Sequence, residues 1–248
     1  MRERAAYDEG EVWETSTRWH RRFPHVFEAA NSRRMEAQFT ELLRLAVEGR
    51  RVFELGCGDG ENAEKLVTLG AQHVLGIDVA ESFVERAQAR VRPGRLEFRV
   101  GDAMAPIEGK FGAIVGRAVL HHIDYRTTLL RLFEHNLEPG GAAVFLEPLG
   151  GNLLIKLFTQ LVRKAHTPDE RSFQGEDLAW LETAFPQVEF YPFNYATLFI
   201  GILSSMALPT ADNIALRFAD RFDGWLARRF RGMRTQFRQV IVVIRKPA

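Results

Sequence analysis

The chain has 248 residues, a formal net charge of +1 and 46% hydrophobic residues. This length fits one elaborated domain, and the apolar fraction is ordinary for a packed core, so the composition excludes a disordered chain. The nearly neutral charge offers no general attraction to nucleic acid. The single cysteine, Cys57, excludes an internal disulfide framework and a cysteine zinc cluster.

The N-terminal segment is polar and no apolar signal core follows Met1, so we expect a cytoplasmic protein. Residues 7–31 form an arm whose aromatic side chains suit either a lid over an active site or packing onto the domain, and both interpretations stay open. Residues 32–47 have helical spacing, with Ser32 as the expected N-cap and Gly49 at the end.

Short apolar runs then alternate with helical patterns. The predicted strands cover residues 52–55, 72–77, 96–100, 113–116 and 142–146. The predicted helices cover residues 61–69, 81–90 and 127–137, and a turn is expected at 139–141. Alternation with short connections predicts an α/β fold with a doubly wound, Rossmann-like, mostly parallel sheet.

The pattern becomes less regular after residue 148. It predicts helices at 152–164, 176–185 and 214–231, a polar loop at 166–171, and strands at 188–191 and 239–245. Residues 190–211 carry no charge, but two prolines interrupt them. A buried strand followed by an apolar helix, or a hydrophobic substrate wall, is therefore favoured over a membrane span. The last helix mixes arginine with aromatic residues, which suits a membrane surface or, as we prefer, a solvated face with an apolar underside.

A glycine-rich turn follows the first strand, with glycines at positions 56, 58 and 60. Glycines allow a sharp bend and the close approach of a ligand at the carboxyl end of a strand. Asp78, at the end of strand two, is placed to accept hydrogen bonds from a ribose. The glycine spacing differs from the dinucleotide fingerprint. Glu54 would face a diphosphate badly, but it suits a cofactor with an amino group and no phosphate.

Five segments in this order resemble class I S-adenosylmethionine-dependent methyltransferases. They are residues 54–60, Asp78, residues 101–103, residues 116–122 and residues 137–141. The resemblance implies a seven-stranded sheet with an antiparallel last strand, a helical cap, and S-adenosylmethionine as cofactor. The implied cofactor-binding residues are Glu54, Gly56, Cys57, Gly58, Gly60, Asp78, Val79, Gly101, Asp102, Ala103 and Arg117.

Two positions depart from the family pattern. Gly112 stands where members usually have an aspartate after the phenylalanine of strand four, which weakens that edge position. Arg117 stands where many members have a small residue. Since arginine binds carboxylates in a bidentate manner, Arg117 could pair with the carboxylate of the cofactor's methionine part, or it could form a surface ion pair.

His121 and His122 follow strand four, where related small-molecule enzymes carry active-site residues, and are the candidate catalytic residues. A neutral imidazole can act as a base, but adjacent residues point in different directions, so we expect at most one to reach the substrate. A structural role for both is the alternative. Other candidates are Glu147 at the end of strand five, and Tyr7, Trp13, Trp19, His20, His25, His166 and Glu170. No spaced ligand cluster indicates a metal.

We therefore expect a methyltransferase acting on a small hydrophobic or aromatic acceptor, such as a natural-product intermediate or a lipid-like molecule. The apolar cap insertions favour this acceptor, although a second subunit could cover them in a homodimer. Members of this family that methylate the exocyclic amines of nucleic-acid bases carry a characteristic motif after strand four. This chain lacks that motif, which argues against DNA or RNA as the substrate. The alternative is a non-catalytic or membrane-associated protein that keeps the cofactor-binding fold.

The expected organisation has four parts. Residues 1–48 form a helical arm or lid, residues 49–148 the cofactor-binding core, residues 149–235 the cap insertions with a helix and strand of the core, and residues 236–248 the terminal strand.

Overall fold

A computed structural model describes residues 20–152 and 172–248. The sequence predictions for the helix at 152–164 and the loop at 166–171 lie almost wholly outside the described residues. The same holds for the candidate site residues Tyr7, Trp13, Trp19, His166 and Glu170.

In the described part of the chain, seven strands form one sheet. They are β1 (Arg51–Leu55), β2 (His73–Asp78), β3 (Leu96–Val100), β4 (Phe111–Arg117), β5 (Leu137–Pro148), β6 (Gln187–Phe193) and β7 (Gln239–Arg245). Their order is β3-β2-β1-β4-β5-β7-β6, and only β7 runs antiparallel to its neighbours. The predicted fold class is confirmed. The strand order reverses between β1 and β4, and open α/β sheets bind ligands above the carboxyl ends at such a point.

Helices cover both faces of this sheet. They are α1 (Pro24–Glu28), α2 (Ala30–Val47), α3 (Glu61–Thr68), α4 (Glu81–Ala87), α5 (Tyr125–Arg131), α6 (Gly175–Ala184), α7 (Ala196–Ala207) and α8 (Ile214–Arg229). Short 3-10 turns lie at Gln88–Arg90, Leu120–His122 and Arg231–Gln236, and a π-helix at Leu132–Asn136 continues α5.

The core has two layers because successive strand residues face opposite sides of the sheet. Val52 packs with Phe39 of α2 in one layer. Phe53 packs in the other layer, where its ring lies 5.2 Å from that of Phe111. Burial on both faces explains why the strands are continuous apolar runs in the sequence.

Two local predictions are wrong. The helix α2 begins at Ala30, and Ser32 is not its N-cap; the Ser32 hydroxyl instead donates to the Val26 carbonyl at 2.7 Å and ties α1 to α2. The expected turn at 139–141 lies inside β5, where Gly140 has a φ of +71° and the pairing with β4 shifts register. The glycines allow a bulge that the strand crosses without ending.

The uncharged run forms β6 followed by α7, as expected. Within the described ranges, no helix is long and apolar enough to cross a membrane. The first turn of α7 is held by Asp223, a buried residue of α8. Its carboxylate accepts the backbone N–H groups of Tyr195, Ala196 and Thr197 at 2.8–3.2 Å and the Thr197 hydroxyl at 2.6 Å. Asp223 therefore fixes α7 on α8 through charge-assisted bonds at a helix N-terminus.

We expect Asp223→Ala to lower the free energy of unfolding by about 2–4 kcal/mol, because it leaves several buried donors without an acceptor. Urea unfolding measures the loss. The matched control is Asp212→Ala, which removes an exposed carboxylate paired with Arg217 at 2.8 Å and should cost less than about 1 kcal/mol. Equal losses in the two variants would show that Asp223 is not a structural cap.

Candidate functional site

The three glycines of the turn after β1 differ in the space around them. Gly56 and Gly60 have positive φ angles, and added Cβ atoms would lie 2.9 Å from Val119 Cγ2 and 2.5 Å from Phe98 Cζ respectively. Both glycines are therefore required by the fold itself. Gly58 also has a positive φ, but an added Cβ would meet no atom of the described residues within 4 Å. Its backbone is thus open to close approach by a ligand.

Asp78 connects the turn to the end of β2. One carboxylate oxygen accepts the Gly58 N–H and the other accepts the Ala80 N–H, both at 2.9 Å. The Asp78 carbonyl accepts the Gly101 N–H at 2.9 Å. The carboxyl ends of β1, β2 and β3 are therefore drawn together at one edge of the sheet.

Glu54 is a carboxyl group buried beneath this turn, with 2% of its surface exposed. Asn62 donates to its Oε1, whereas Oε2 has no hydrogen-bond partner among the described residues. Burial, with a smaller contribution from the charge of Asp78, raises the pKa of Glu54 to about 8. A carboxylate held in this way would gain from a cationic partner that donates hydrogen bonds.

Cys57 lies in the same turn and is buried. Burial, reinforced by Glu54 and Asp78, raises the pKa of its thiol well above the ordinary value. The nucleophilic thiolate is therefore disfavoured, and the side chain acts as small apolar filling.

The ends of β2 and β3 hold the next group of predicted residues. Val79 has 43% of its surface exposed beside Asp78. The Asp102 carboxylate accepts the Met104 N–H at 2.8 Å, which shapes the turn after β3. Arg131 of α5 donates to the Ala103 carbonyl at 2.9 Å and anchors the same turn.

Arg117 ends β4 and faces α2. Its guanidinium makes a bidentate pair with Glu36 at 2.9 and 2.5 Å. Burial works to raise the pKa of Glu36, but the hydrogen bond and charge of Arg117 outweigh it and hold that pKa below its ordinary value. Pairing of Arg117 with a cofactor carboxylate stays a prediction, since the described contact is an ion pair with α2.

The turn after β4 is held by Glu147, which is fully buried near the end of β5. Its carboxylate accepts the Val119 and Leu120 N–H groups at 3.0 Å and contacts His121 Nδ1 at 2.7 Å. With Oε2 as the acceptor in this contact, Nδ1 is the donor, and Nε2 is the ring nitrogen that Glu147 does not contact. Ala118 has a φ of +53° here, a strained conformation that these contacts fix.

A cavity of about 390 Å³ opens beside this turn. It is lined by Leu120, His121, His122, Ile123, Asp124, Tyr125, Arg126 and Asp177. The Tyr125 hydroxyl donates to Asp177 at 2.6 Å, and Arg126 donates to the same carboxylate oxygen at 3.2 Å. Mainly through burial, the pKa of Tyr125 rises to about 12, so its phenol stays protonated.

The structure thus brings both predicted histidines to one cavity, with ring centroids 3.9 Å apart. The sequence predictions missed Tyr125, Arg126 and Asp177 as members of the site. No local motif marks them, because Asp177 comes from α6 and meets Tyr125 only through the fold.

The two described histidines of the arm are placed elsewhere. His25 Nδ1 lies 2.9 Å from the Ser204 hydroxyl of α7, and His20 stacks on Phe27 at 3.6 Å. Neither lines the cavity. Across residues 20–152 and 172–248, no group of three or more His, Cys, Asp or Glu side chains is arranged to hold a metal ion.

Comparison with known sequences points to one type of domain. Residues 52–141 match a family model described as a methyltransferase domain. A ubiquinone biosynthesis O-methyltransferase of Xanthomonas oryzae pv. oryzae is 31% identical over 162 residues. That match covers 59% of this chain and 66% of the relative, just under two thirds of the relative's length.

Solved structures share the fold. Phosphoethanolamine N-methyltransferase 2 of Haemonchus contortus, in complex with S-adenosyl-L-methionine, has a TM-score of 0.60 at 20% identity, over 86% of this chain and 53% of that chain. The N-methyltransferase NodS of Bradyrhizobium japonicum, in complex with S-adenosyl-L-homocysteine, has a TM-score of 0.57 at 16% identity, over 94% and 99% of the two chains.

The elevated pKa of Glu54 predicts a pH-dependent stability. The folded protein holds a proton on Glu54 that the unfolded chain loses above its ordinary pKa of 4.5, so this group lowers stability as pH rises from 4.5 towards 8. Glu54→Gln removes that dependence. In urea unfolding at pH 5, 6.5 and 8, wild type should therefore lose stability relative to Glu54→Gln as pH rises. Glu61→Gln, at an exposed site on α3, is the control, and parallel profiles for wild type and Glu54→Gln would contradict the prediction.

Proposed function

Because the chain belongs to the class I S-adenosylmethionine-dependent methyltransferases, we propose that it transfers a methyl group from S-adenosylmethionine to a hydroxyl group of a small, apolar acceptor. The observation that carries the proposal is the buried Glu54 carboxyl beneath an open glycine turn, at the strand-order reversal of the sheet. The sequence relatives named as O-methyltransferases support oxygen as the methylated atom.

The residues at the sheet edge fit this cofactor. Glu54, with an oxygen that lacks a hydrogen-bond partner in the described part of the chain, would hold its ammonium group. Gly58 would let the cofactor approach the backbone, Asp78 would accept its ribose hydroxyls, and Asp102 with Ala103 would border its adenine. The sulfonium supplies an electrophilic methyl group that needs no metal activation. A dehydrogenase role is disfavoured because Glu54 would repel a diphosphate.

The turn after β4 would supply the base. A hydroxyl acceptor must lose its proton as its oxygen takes the methyl group. His121 Nε2 would accept that proton, and the Glu147 carboxylate at Nδ1 would orient the ring and stabilise the imidazolium that forms. Rate would otherwise come from alignment of the oxygen with the methyl group, since an in-line displacement depends on positioning.

The cavity beside His121 would receive part of the acceptor. Its apolar members are Leu120 and Ile123, and the Tyr125 hydroxyl and the Asp177 carboxylate provide polar contacts. Such a mixed lining suits a small molecule with a ring or chain and a few oxygen substituents. The alternative, a protein that keeps the fold without catalysis, would bind cofactor but show no turnover.

The function is tested by calorimetry with S-adenosylmethionine and with NAD, followed by a screen of phenols and other hydroxyl compounds with S-adenosylhomocysteine formation as readout. Binding of the first cofactor and turnover with a hydroxyl acceptor support the proposal. No binding, or preference for NAD, would refute it. Binding with no turnover across amine and hydroxyl acceptors would favour the non-catalytic alternative.

Cofactor binding should release a proton from Glu54. At pH 6.5 the buried carboxyl, with its pKa raised to about 8, is mostly protonated, whereas an amino group of ordinary pKa is already charged. Pairing with the ammonium favours the carboxylate, so binding should release close to one proton per site. Calorimetry in two buffers of different ionisation enthalpy measures this release.

Glu54→Gln should release no proton and bind about tenfold to a hundredfold more weakly, because a charge-assisted contact is lost. Glu61→Gln, on the exposed side of α3, should behave like wild type. Equal proton release in wild type and Glu54→Gln would remove Glu54 from the cofactor site.

Substitutions of His121 and its neighbours should show which residue acts as the general base and which residue only positions it. His121→Gln should lower kcat by roughly 10²- to 10⁴-fold with little change in cofactor affinity, as expected for loss of a general base. Glu147→Gln keeps the shape but offers a neutral partner, so it should lower kcat less and leave KM nearly constant. Steady-state kinetics and calorimetry provide these values. If His122→Gln reproduces the loss and His121→Gln does not, the base is His122.

A further inference from the structure

The helix α8 carries its apolar side chains on two opposite sides. Leu216, Ala219 and Leu226 are buried against the domain. On the outer side, Ile214, Phe218 and Trp225 have 80%, 73% and 49% of their surface exposed. The sequence analysis preferred a helix with a solvated outer face and an apolar underside. The underside is apolar as expected, but the outer face carries large apolar side chains.

Helical geometry places the exposed groups in one stripe. At about 100° per residue, positions 214, 218, 221 and 225 fall within an arc of roughly 60°. We call this stripe, with the flanking positions 217 and 228, the α8 outer face: Ile214, Arg217, Phe218, Arg221, Trp225 and Arg228. Apolar and basic side chains therefore alternate along a single convex surface.

The same region concentrates the exposed apolar surface of the molecule. Of the 13 large apolar side chains that are exposed among the described residues, seven lie between residues 203 and 230. They include Leu203 and Met206 of α7, the helix that packs beside α8. Apolar exposure at this density marks an interaction surface rather than ordinary scatter.

The charge around this stripe is positive. Within the described ranges, the exposed Arg221, Arg228 and Arg229 have no ion pair, whereas Arg217 pairs with Asp212. The acidic residues of α8 are engaged towards the body of the protein. Asp220 contacts Arg34 at 3.0 Å, and Asp223 caps α7. Basic charge therefore remains outside, although the whole chain has a net charge of only +1.

We propose that the α8 outer face docks on the surface of an anionic lipid bilayer. Tryptophan and phenylalanine side chains between arginines match the headgroup boundary, where the rings enter the acyl edge and the guanidinium groups meet lipid phosphates. A convex helix with alternating apolar and basic groups suits this planar, anionic partner better than it suits a protein groove. The proposal is independent of methyl transfer, because lipid binding needs neither cofactor nor acceptor.

The test is co-sedimentation of the full chain with vesicles. One set contains phosphatidylglycerol and phosphatidylcholine, and the other contains phosphatidylcholine alone. We expect binding to the anionic vesicles that weakens with salt, and much weaker binding to the neutral ones, because the arginines act through the surface potential.

Variants separate the two contributions. Phe218→Ser with Trp225→Ser should abolish most binding to anionic vesicles, at low salt as well as at high salt. Arg221→Glu with Arg228→Glu should weaken binding at least roughly tenfold, since each basic residue near an anionic surface contributes about fivefold. Leu45→Ser and Lys110→Glu, at exposed positions of α2 and of the loop before β4, are the matched controls and should bind like wild type.

Circular dichroism and thermal melting confirm that each variant is folded, and all four α8 positions are exposed, so folding should persist. Failure of wild type to sediment with anionic vesicles would overturn the proposal. So would equal binding by wild type and the α8 variants. A dimer in sedimentation velocity that Phe218→Ser disrupts, without vesicle binding, would instead assign the face to a second copy of the chain.

Discussion

A buried carboxylate near the end of β5 determines the shape of the candidate site. Glu147 accepts two consecutive backbone N–H groups after β4 and contacts His121 at 2.7 Å, so the turn and the ring are fixed together. The turn also contains Ala118 at a φ of +53°. This backbone conformation is strained, and it persists because the surrounding contacts hold it in place. One buried acid on a neighbouring strand thus holds both the strained backbone and the ring orientation of the candidate base.

Three carboxylates stand near the carboxyl ends of β1, β2 and β5, and their partners give them different roles. Both carboxylate oxygens of Glu147 have partners in its own chain, so it acts as a structural and positioning group. Asp78 joins two loops through backbone contacts at 2.9 Å and remains half-buried. Glu54 alone combines deep burial with an oxygen that has no partner in the described residues, and its pKa rises to about 8. Residues of one chemical type therefore divide into scaffold and binding site according to how many donors surround them.

The sequence predicted the sheet well because burial on both faces makes its strands continuous apolar runs, and a strand such as β7 was placed at its full length. The sequence predictions were wrong where a residue typical of one local structure serves another. Gly140 signals a turn but forms a bulge within β5, and Ser32 signals a helix cap but donates to the preceding helix. The cavity could not be predicted, since Tyr125 and Asp177 meet only when α5 and α6 pack together. Local motifs identify the candidate cofactor-binding residues, whereas the residues that line the candidate acceptor cavity come together only through long-range contacts.

The helix α8 shows the same limit at the surface. Its sequence mixes arginine with aromatic residues, and composition alone is compatible with either a buried or an exposed aromatic face. The position of Asp223 settles the orientation, because a carboxylate that caps α7 must face inward and therefore turns Phe218 and Trp225 outward. The contact that stabilises the α7–α8 pair is thus also the one that presents an apolar and basic stripe to the exterior. A substitution that weakened this cap would disturb the α8 outer face as well as the fold.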